Sequence, residues 1–281
     1  MNINYRNFSQ TTNFHYGNVP YFTFKSFDKL DYIKHAFSTR IGGVSTGIYS
    51  TMNLTFTRDD IKENVSRNFE IMAKRLGINT SDMVYAMQTH TVNVMEVTDK
   101  HRGMGVVKER DFTDVDGLVT NIPGITLVTS YADCVPLYMV DPVNRAIGLS
   151  HSGWRGTVGN IAFETIKKMQ KLYNTKAEDL IVFIGPSICS DCYEVGEDVA
   201  EEFAKRYGDS VFDDILSIKK NNKFKLNLWN ANYRNFIEAG VKADNIGITD
   251  ICTCCNPELL FSHRATKGNR GGLCGFLSLQ R

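Results

Sequence analysis

The stretch from Val128 to Gly156, VTSYADCVPLYMVDPVNRAIGLSHSGWRG, constrains the fold more than any other part of the chain. Its apolar runs, ITLVTSYA, VPLYMVD and RAIGLSH, are rich in Val, Ile, Leu and Tyr and are separated by turn-forming Asp, Pro and Asn. They read as consecutive strands. Strands that follow one another without intervening helices, with helix and strand alternating only afterwards, point to mixed α+β layers rather than a doubly wound parallel sheet. Two polar interruptions, Ala-Asp-Cys and Ser-His-Ser-Gly-Trp-Arg-Gly, break these runs where a strand should end.

The flanks fit the same class. In DDIKENVSRNFEIMAKRLGI, the residues Ile61, Val65, Phe69, Met72 and Leu76 recur at helical spacing, with Asp59 and Asp60 as N-cap candidates and Gly77 as a stop. A second helical stripe joins Val158, Ile161, Ile166, Met169 and Leu172, and further helices are expected at GEDVAEEFAKRYG and LNLWNANYRNFIEAG. MVYAMQTHTVNVMEV, DGLVT, LIVFIGP, FKLNL, NIGITDI and GLCGFLSLQ read as strands, so one multi-stranded sheet is expected in the middle of the chain. No linker, charge block or repeat divides residues 1–281, which predicts a single domain with an extension of little motif content over residues 1–30.

The balance of 32 basic against 31 acidic residues gives no reason to expect nucleic acid as a partner. No apolar segment approaches the ~20 residues that span a bilayer and the N-terminus has no signal-peptide pattern, so a soluble, cytoplasmic protein without membrane contact is expected. Seven cysteines, an odd number in a chain long enough to build its own core, suit reduced thiols available for metals or chemistry.

His90 in MQTHTV, Cys134 in YADCVP and His151 in GLSHSGW share one local context, each following an apolar run and adjoining small or polar residues. If those ends converge, two imidazoles and a thiolate leave a fourth position open, the arrangement of catalytic zinc, which acidifies bound water and polarises a substrate. Other readings of the same atoms stay open. Cys134 and His151 could be a metal-free nucleophile and base; two His plus Cys is also a copper ligand set, with Met139 available as the axial ligand, but the closely spaced C-terminal ligands of electron-transfer copper are absent. His15, His35 and His101 are left as hydrogen-bonded residues. The H-x-E motif of zinc nucleobase deaminases is absent, since neither His90 nor His151 is followed two residues on by Glu.

The motifs FSTRIGGVS, MNL, MQTH, DVDGLVT, ADCVPLYMVD, HSGWRG, GPSICSDCYEV and FSHRATKGNRGG occur in an order that resembles the YfiH/YlmD family, the laccase-domain proteins also called polyphenol oxidase, purine nucleoside phosphorylase or peptidoglycan editing factor. The resemblance runs from about Phe37 to the C-terminus. It implies a layered α/β/β/α fold and a metal site, usually zinc, on His90, Cys134 and His151. It also implies phosphorolysis of adenosine, inosine, guanosine and methylthioadenosine, with adenosine deamination as a further activity. The older family name suggests copper-dependent phenol oxidation, but a mononuclear centre plus a trinuclear cluster needs more imidazoles than six histidines readily supply. A Cys/His hydrolase editing cell-wall precursors, and a non-enzymatic role in which metal only stabilises the fold, complete the alternatives.

Phosphate suits arginine, whose planar fork pairs with two oxygens at once. Arg40, Arg264 and Arg270 are candidates, with Ser38 as a helper, and Arg40 sits on a motif of the family. Asp133 is a candidate acid/base beside Cys134, Gln88 is expected to orient ligands or substrate, and His263 is a candidate pocket wall. Trp154 and Arg155 are expected to lock the turn after His151. Cys189-x-x-Cys192 and Cys252-x-Cys254-Cys255 are read as buried thiols rather than a four-thiolate zinc site, because the pairs lie far apart and no knuckle glycines flank them. The expected partners are purine nucleosides and phosphate, and the oligomeric state is left between monomer and homodimer.

Overall fold

In the computed structural model, which describes residues 3–6, 10–218 and 222–280, the apolar runs of the middle of the chain divide between two sheets rather than one. The first sheet contains β1 (Thr12–His15), β2 (Tyr21–Phe24), β3 (Ile33–Ser38), β4 (Met83–Tyr85), β7 (Thr126–Tyr131) and β15 (Leu273–Leu279), in the order β1-β2-β3-β15-β7-β4. The second contains β5 (Val94–Glu96), β6 (Gly117–Thr120), β8 (Val135–Asp141), β9 (Ala146–Ser152), β10 (Ile181–Ile184) and β14 (Ile246–Ile248), in the order β14-β10-β8-β9-β6-β5. A small third sheet joins β11 (Glu194–Val195), β12 (Leu216–Ile218) and β13 (Phe224–Leu226). The helices are α1 (Lys62–Leu76), α2 (Trp154–Val158), α3 (Ile161–Tyr173), α4 (Glu197–Tyr207), α5 (Val211–Asp214), α6 (Leu228–Glu238) and α7 (His263–Thr266).

Burial explains the layering. Phe22, Phe24 and Leu127 from the first sheet meet Tyr138, Ile147 and Phe183 from the second in a dry interlayer. Phe24 and Phe183 stack at 4.0 Å across it. On the outer side of the first sheet, Val65, Phe69 and Met72 of α1 cover Ala36, Val128 and Phe276. On the outer side of the second, Ile161, Ile166 and Met169 of α3 and Phe236 of α6 cover Val119, Met139 and Val182. The result is the α/β/β/α arrangement that the resemblance implied. Because β8 and β9 are buried on both faces, their apolar runs, residues 135–140 and 146–149, are continuous instead of alternating.

Several local expectations shift. Helix α1 begins at Lys62 with no side-chain cap, because Asp60 accepts instead from Ser45 Oγ and Asn53 Nδ2 and pins the preceding loop, while Ile61 stays exposed. Gly77 ends that helix in the left-handed region at φ +62°, as expected. The stripe from Val158 to Leu172 is two helices, since Asn160 adopts φ +58° and caps α3 by accepting from the Phe163 N–H. Residues 12–24, expected as part of an extension, contribute β1 and β2 to the first sheet. No helix among the described residues is long and apolar enough to cross a membrane.

His35 lies inside β3, buried, with Nε2 accepting from the Phe24 N–H at 2.7 Å. Burial pushes its pKa down to about 4. The unfolded chain therefore binds one more proton between pH about 6.5 and 4, and stability should fall as pH drops through that window by up to about 3 kcal/mol. Urea midpoints measured from pH 7.5 to 4.5 check this. The acid-side loss should shrink in His35→Gln, and an unchanged loss would sink the assignment.

Candidate metal centre

The first polar interruption, Ala-Asp-Cys, is a place where the chain passes from one sheet to the other, and the second ends β9 and enters α2. Ala132, Asp133 and Cys134 connect β7 of the first sheet to β8 of the second, and residues 86–93, carrying His90, connect β4 to β5. The expected continuous strand MVYAMQTHTVNVMEV is thus two short strands and a loop. Strands β8 and β9 form an antiparallel hairpin with Val135 opposite Ser152 and Pro136 opposite His151, so the start of one strand and the end of the other are neighbours. His90, Cys134 and His151 are thereby gathered with their ligand atoms all within 4.8 Å of one another.

Asp116, fully buried, organises two of the three. Its Oδ1 lies 2.8 Å from His151 Nδ1, and its oxygens accept from the N–H groups of Thr89, His90 and Thr91 and from Thr91 Oγ1. These bonds hold His90 at φ +67°, a conformation that L residues seldom adopt. They also fix the imidazole of His151 with Nε2 turned to the site. Gly153 completes the cradle by steric need, since an added Cβ would lie 3.0 Å from His90 Cδ2 and 3.2 Å from Cys134 Sγ. Sequence reasoning quoted DVDGLVT but gave Asp116 no role; an acidic residue at a strand start, ahead of a histidine strand, was the available signal.

Electrostatics agree with a cation site. Burial by itself would push the Cys134 thiol up, but the imidazoles of His151 and His90 overrule it and hold it down to about 6. Burial would lower His151, yet the Cys134 sulfur and the Asp116 carboxylate raise it to about 9. Asp116 is held down to about 2, against burial, by its hydrogen bond to His151 and by the backbone donors. A negative sulfur beside an imidazole poised to share charge is the donor set a divalent cation replaces a proton in. These residues therefore fit zinc, with three ligands and one open side.

That open side faces a cleft of about 160 Å³ lined by Thr55, Arg58, Gln88, Tyr131, Arg270 and the three ligands. A larger recess of about 540 Å³ lies close by, with Met87 and Phe112 among its walls. Arg270 is held down to about 10, first by burial and then by Arg58. Its Nε is buried without a partner among the described residues. Arg58 was not anticipated; it sits in a polar loop, TRDD, with no motif to mark it.

The other expected residues have different duties. Ser38 is buried, its Oγ accepting from the Cys274 N–H inside the first sheet. Arg40 donates to the carbonyls of Ser50 and Pro257 and lies over the Phe261 ring, so it clamps loops instead of facing the cleft. Gln88 exchanges both amide ends with the Ser130 backbone, which positions the loop leading to His90. Asp133, at φ +90°, accepts from Thr253 Oγ1 at 2.6 Å and from the Arg264 N–H at 2.7 Å; the carboxylate is occupied as a staple rather than as an acid/base. Arg264 donates to the carbonyls of Cys192 and Glu194. His263 starts α7, exposed, with its pKa lowered by burial and then by Arg270. Arg155 lies over Trp154 at the start of α2, as expected of a turn lock.

The second cysteine set, expected as separate buried thiols, has four of its five members brought together. Cys189, Cys192, Cys252 and Cys255 have their sulfurs within 4.8 Å of one another. Strands β10 and β14 are parallel neighbours, so the loops that follow them leave the same end of the sheet and meet despite a separation of 63 residues.

Residues 34–280 match the family described as multi-copper polyphenol oxidoreductase laccase. The chain belongs to this family. A purine nucleoside phosphorylase of Staphylococcus epidermidis is 35% identical over 252 residues, covering 89% of this chain and 93% of that one. The laccase-domain relatives also include a protein named adenosine deaminase RL5, from an unknown prokaryotic organism, 34% identical with 87% of this chain and 95% of that one covered. YlmD from Geobacillus stearothermophilus superposes with a TM-score of 0.89 at 28% identity, over 97% of this chain and all of the other (100%).

Replacing Asp116 with asparagine is expected to lower metal affinity about 10- to 100-fold, because one of the two acceptor oxygens shared by His151 and the His90 loop becomes a donor NH2 and the negative charge is lost. Competition against a chromophoric chelator measures it. An affinity equal to wild type in a folded variant would show that Asp116 does not orient the ligands.

Proposed function

We propose that the chain is a metal-dependent purine nucleoside phosphorylase acting on adenosine, inosine, guanosine and methylthioadenosine, with adenosine deamination as a second reaction. The observation that carries this reading is one cleft that joins the His90–Cys134–His151 donor set to the guanidinium groups of Arg58 and Arg270, one of which keeps a buried, unpartnered N–H. The names of the relatives point the same way.

Zinc, with copper as the alternative ion, would supply Lewis-acid polarisation of a substrate oxygen or nitrogen when held by His90, Cys134 and His151. In phosphorolysis a phosphate oxygen bonds to the anomeric carbon of the sugar, the bond from that carbon to the base breaks, and the base leaves carrying a proton. Arg58 and Arg270 hold the anion for that attack, since guanidinium forks pair with phosphate oxygens. Tyr131 packs behind His151 with ring centroids 5.7 Å apart and helps keep the imidazole in place. In deamination a water adds to the amino-bearing purine carbon and ammonia departs, with no need for phosphate.

Multicopper phenol oxidation is disfavoured by where the histidines are. Among the described residues, only His90 and His151 join Cys134 in this group; His35 and His101 accept backbone N–H groups elsewhere, His15 pairs with Thr23, and His263 begins α7 outside the group. The test is to incubate metal-defined protein with adenosine, with and without phosphate, and to resolve adenine, inosine and ribose 1-phosphate by chromatography. Adenine and ribose 1-phosphate should appear only with phosphate, and inosine in either case. No product from zinc-loaded wild type, or full activity in Cys134→Ala, overturns the reading.

A further inference from the structure

Cys189, Cys192, Cys252 and Cys255 lie outside the cleft just described. Each pair has the spacing Cys-x-x-Cys and forms a short hook; in the first, the Cys192 N–H donates to the Cys189 carbonyl at 3.1 Å. The two hooks interlock, because the Cys189 N–H donates to Cys252 Sγ at 3.2 Å. Backbone contacts set them side by side, with Ser187 bridged to Cys252 and the Thr253 N–H donating to the Ser187 carbonyl at 3.1 Å. Two Cys-x-x-Cys hooks face to face, with all four sulfurs within 4.8 Å of one another, are a metal-binding arrangement.

The spacing of the sulfurs decides what could sit between them. Cys192 and Cys255 are 3.5 Å apart and Cys189 and Cys255 4.0 Å apart, while the tetrahedral edge for a Zn–S bond of about 2.3 Å is about 3.8 Å. A disulfide would require about 2.05 Å, and all seven cysteines are free. An iron–sulfur cluster spreads its four cysteines over separate irons, which this close set does not allow. Two of the four, Cys189 and Cys252, are buried and two are half-buried, so the site is closed by protein on one side and lacks an obvious position for substrate.

We infer that these four cysteines bind a single structural zinc ion, separate from the metal of the catalytic cleft. The ion ties the loop after β10 to the loop after β14, and both loops hold Asp133: the Ile188 N–H donates to its carbonyl at 3.0 Å and Thr253 Oγ1 to its carboxylate. Asp133 in turn precedes Cys134, so the clamp bears on the segment that presents a ligand of the cleft. The N-terminal segment closes over the hooks, with Asn4 Nδ2 donating to the Cys255 carbonyl and Arg6 paired with Asp191.

Zinc analysis of the full chain, purified without chelator, tests this. About two zinc ions per chain are expected, falling to about one in the double variant Cys192→Ser with Cys255→Ser and to about one in Cys134→Ser, each variant losing a different ion. Should the double variant fail to fold, cobalt titration of metal-free wild type and of Cys134→Ser decides the matter. Cys134→Ser should still develop the intense thiolate-to-cobalt charge-transfer absorption of a four-sulfur site. Cobalt bound by Cys134→Ser without that absorption, a single zinc in wild type that Cys134→Ser alone removes, or disulfide-linked peptides holding these cysteines under non-reducing conditions would each overturn the inference.

Discussion

Cys134→Ser is expected to abolish turnover of nucleosides and to release the metal of the cleft, with a loss exceeding the ~100-fold that follows removal of a residue that merely orients a ligand. Three donors would hold that ion, and the serine hydroxyl, far less acidic than a thiol, cannot replace the negative sulfur that His151 and His90 stabilise. The side chain sits at the crossing from β7 to β8 and its sulfur packs near Gly153, so serine fits the space and the folded structure should survive. Zinc content, circular dichroism and the chromatographic assay together check this. A folded variant that retains both zinc and activity would remove Cys134 from the site.

Arg270→Gln should raise the KM for phosphate about 10- to 100-fold, the effect of losing a hydrogen bond to a charged partner worth about 1.5–3 kcal/mol. Phosphate-independent deamination of adenosine should change little, because no anion needs holding there. The two activities of one preparation therefore serve as each other's control. Equal losses in both would mean that Arg270 supports the cleft structurally, and no loss in either would place the phosphate elsewhere. Arg270 suits this role because burial and the neighbouring Arg58 both oppose its charge, an arrangement that an anion relieves.

Much of the layering was legible in the sequence because periodicity reports burial. Val65, Phe69, Met72 and Leu76 declare the inner face of α1, and the uninterrupted apolar runs of β8 and β9 declare strands covered on both sides. That His90, Cys134 and His151 would gather was suggested by the way each adjoins an apolar run. The anion side was less so. Arg40, Arg264 and Arg270 look alike in sequence, and only their neighbours distinguish them: carbonyls of distant loops occupy the first two, whereas Arg270 donates only to the adjoining Gly271 carbonyl and its Nε is left without a partner among the described residues. Asp133 illustrates the same limit, since its position beside Cys134 suggested acid/base work and its two short hydrogen bonds make it a staple.

The sequence by itself determined the inner face of α1, the apolar runs that became β8 and β9, and that His90, Cys134 and His151 adjoin apolar runs in a similar local context. Those properties are local, carried by spacing and side-chain type. Only the tertiary structure decided that one expected sheet is two, that Asp116 binds His151 and the His90 loop together, that Arg58 joins Arg270 at the cleft, and that four cysteines 63 residues apart form one cluster. Parallel pairing of β10 with β14 and the two crossings between sheets create those neighbours, and chain separation leaves no periodic signal from which to read them.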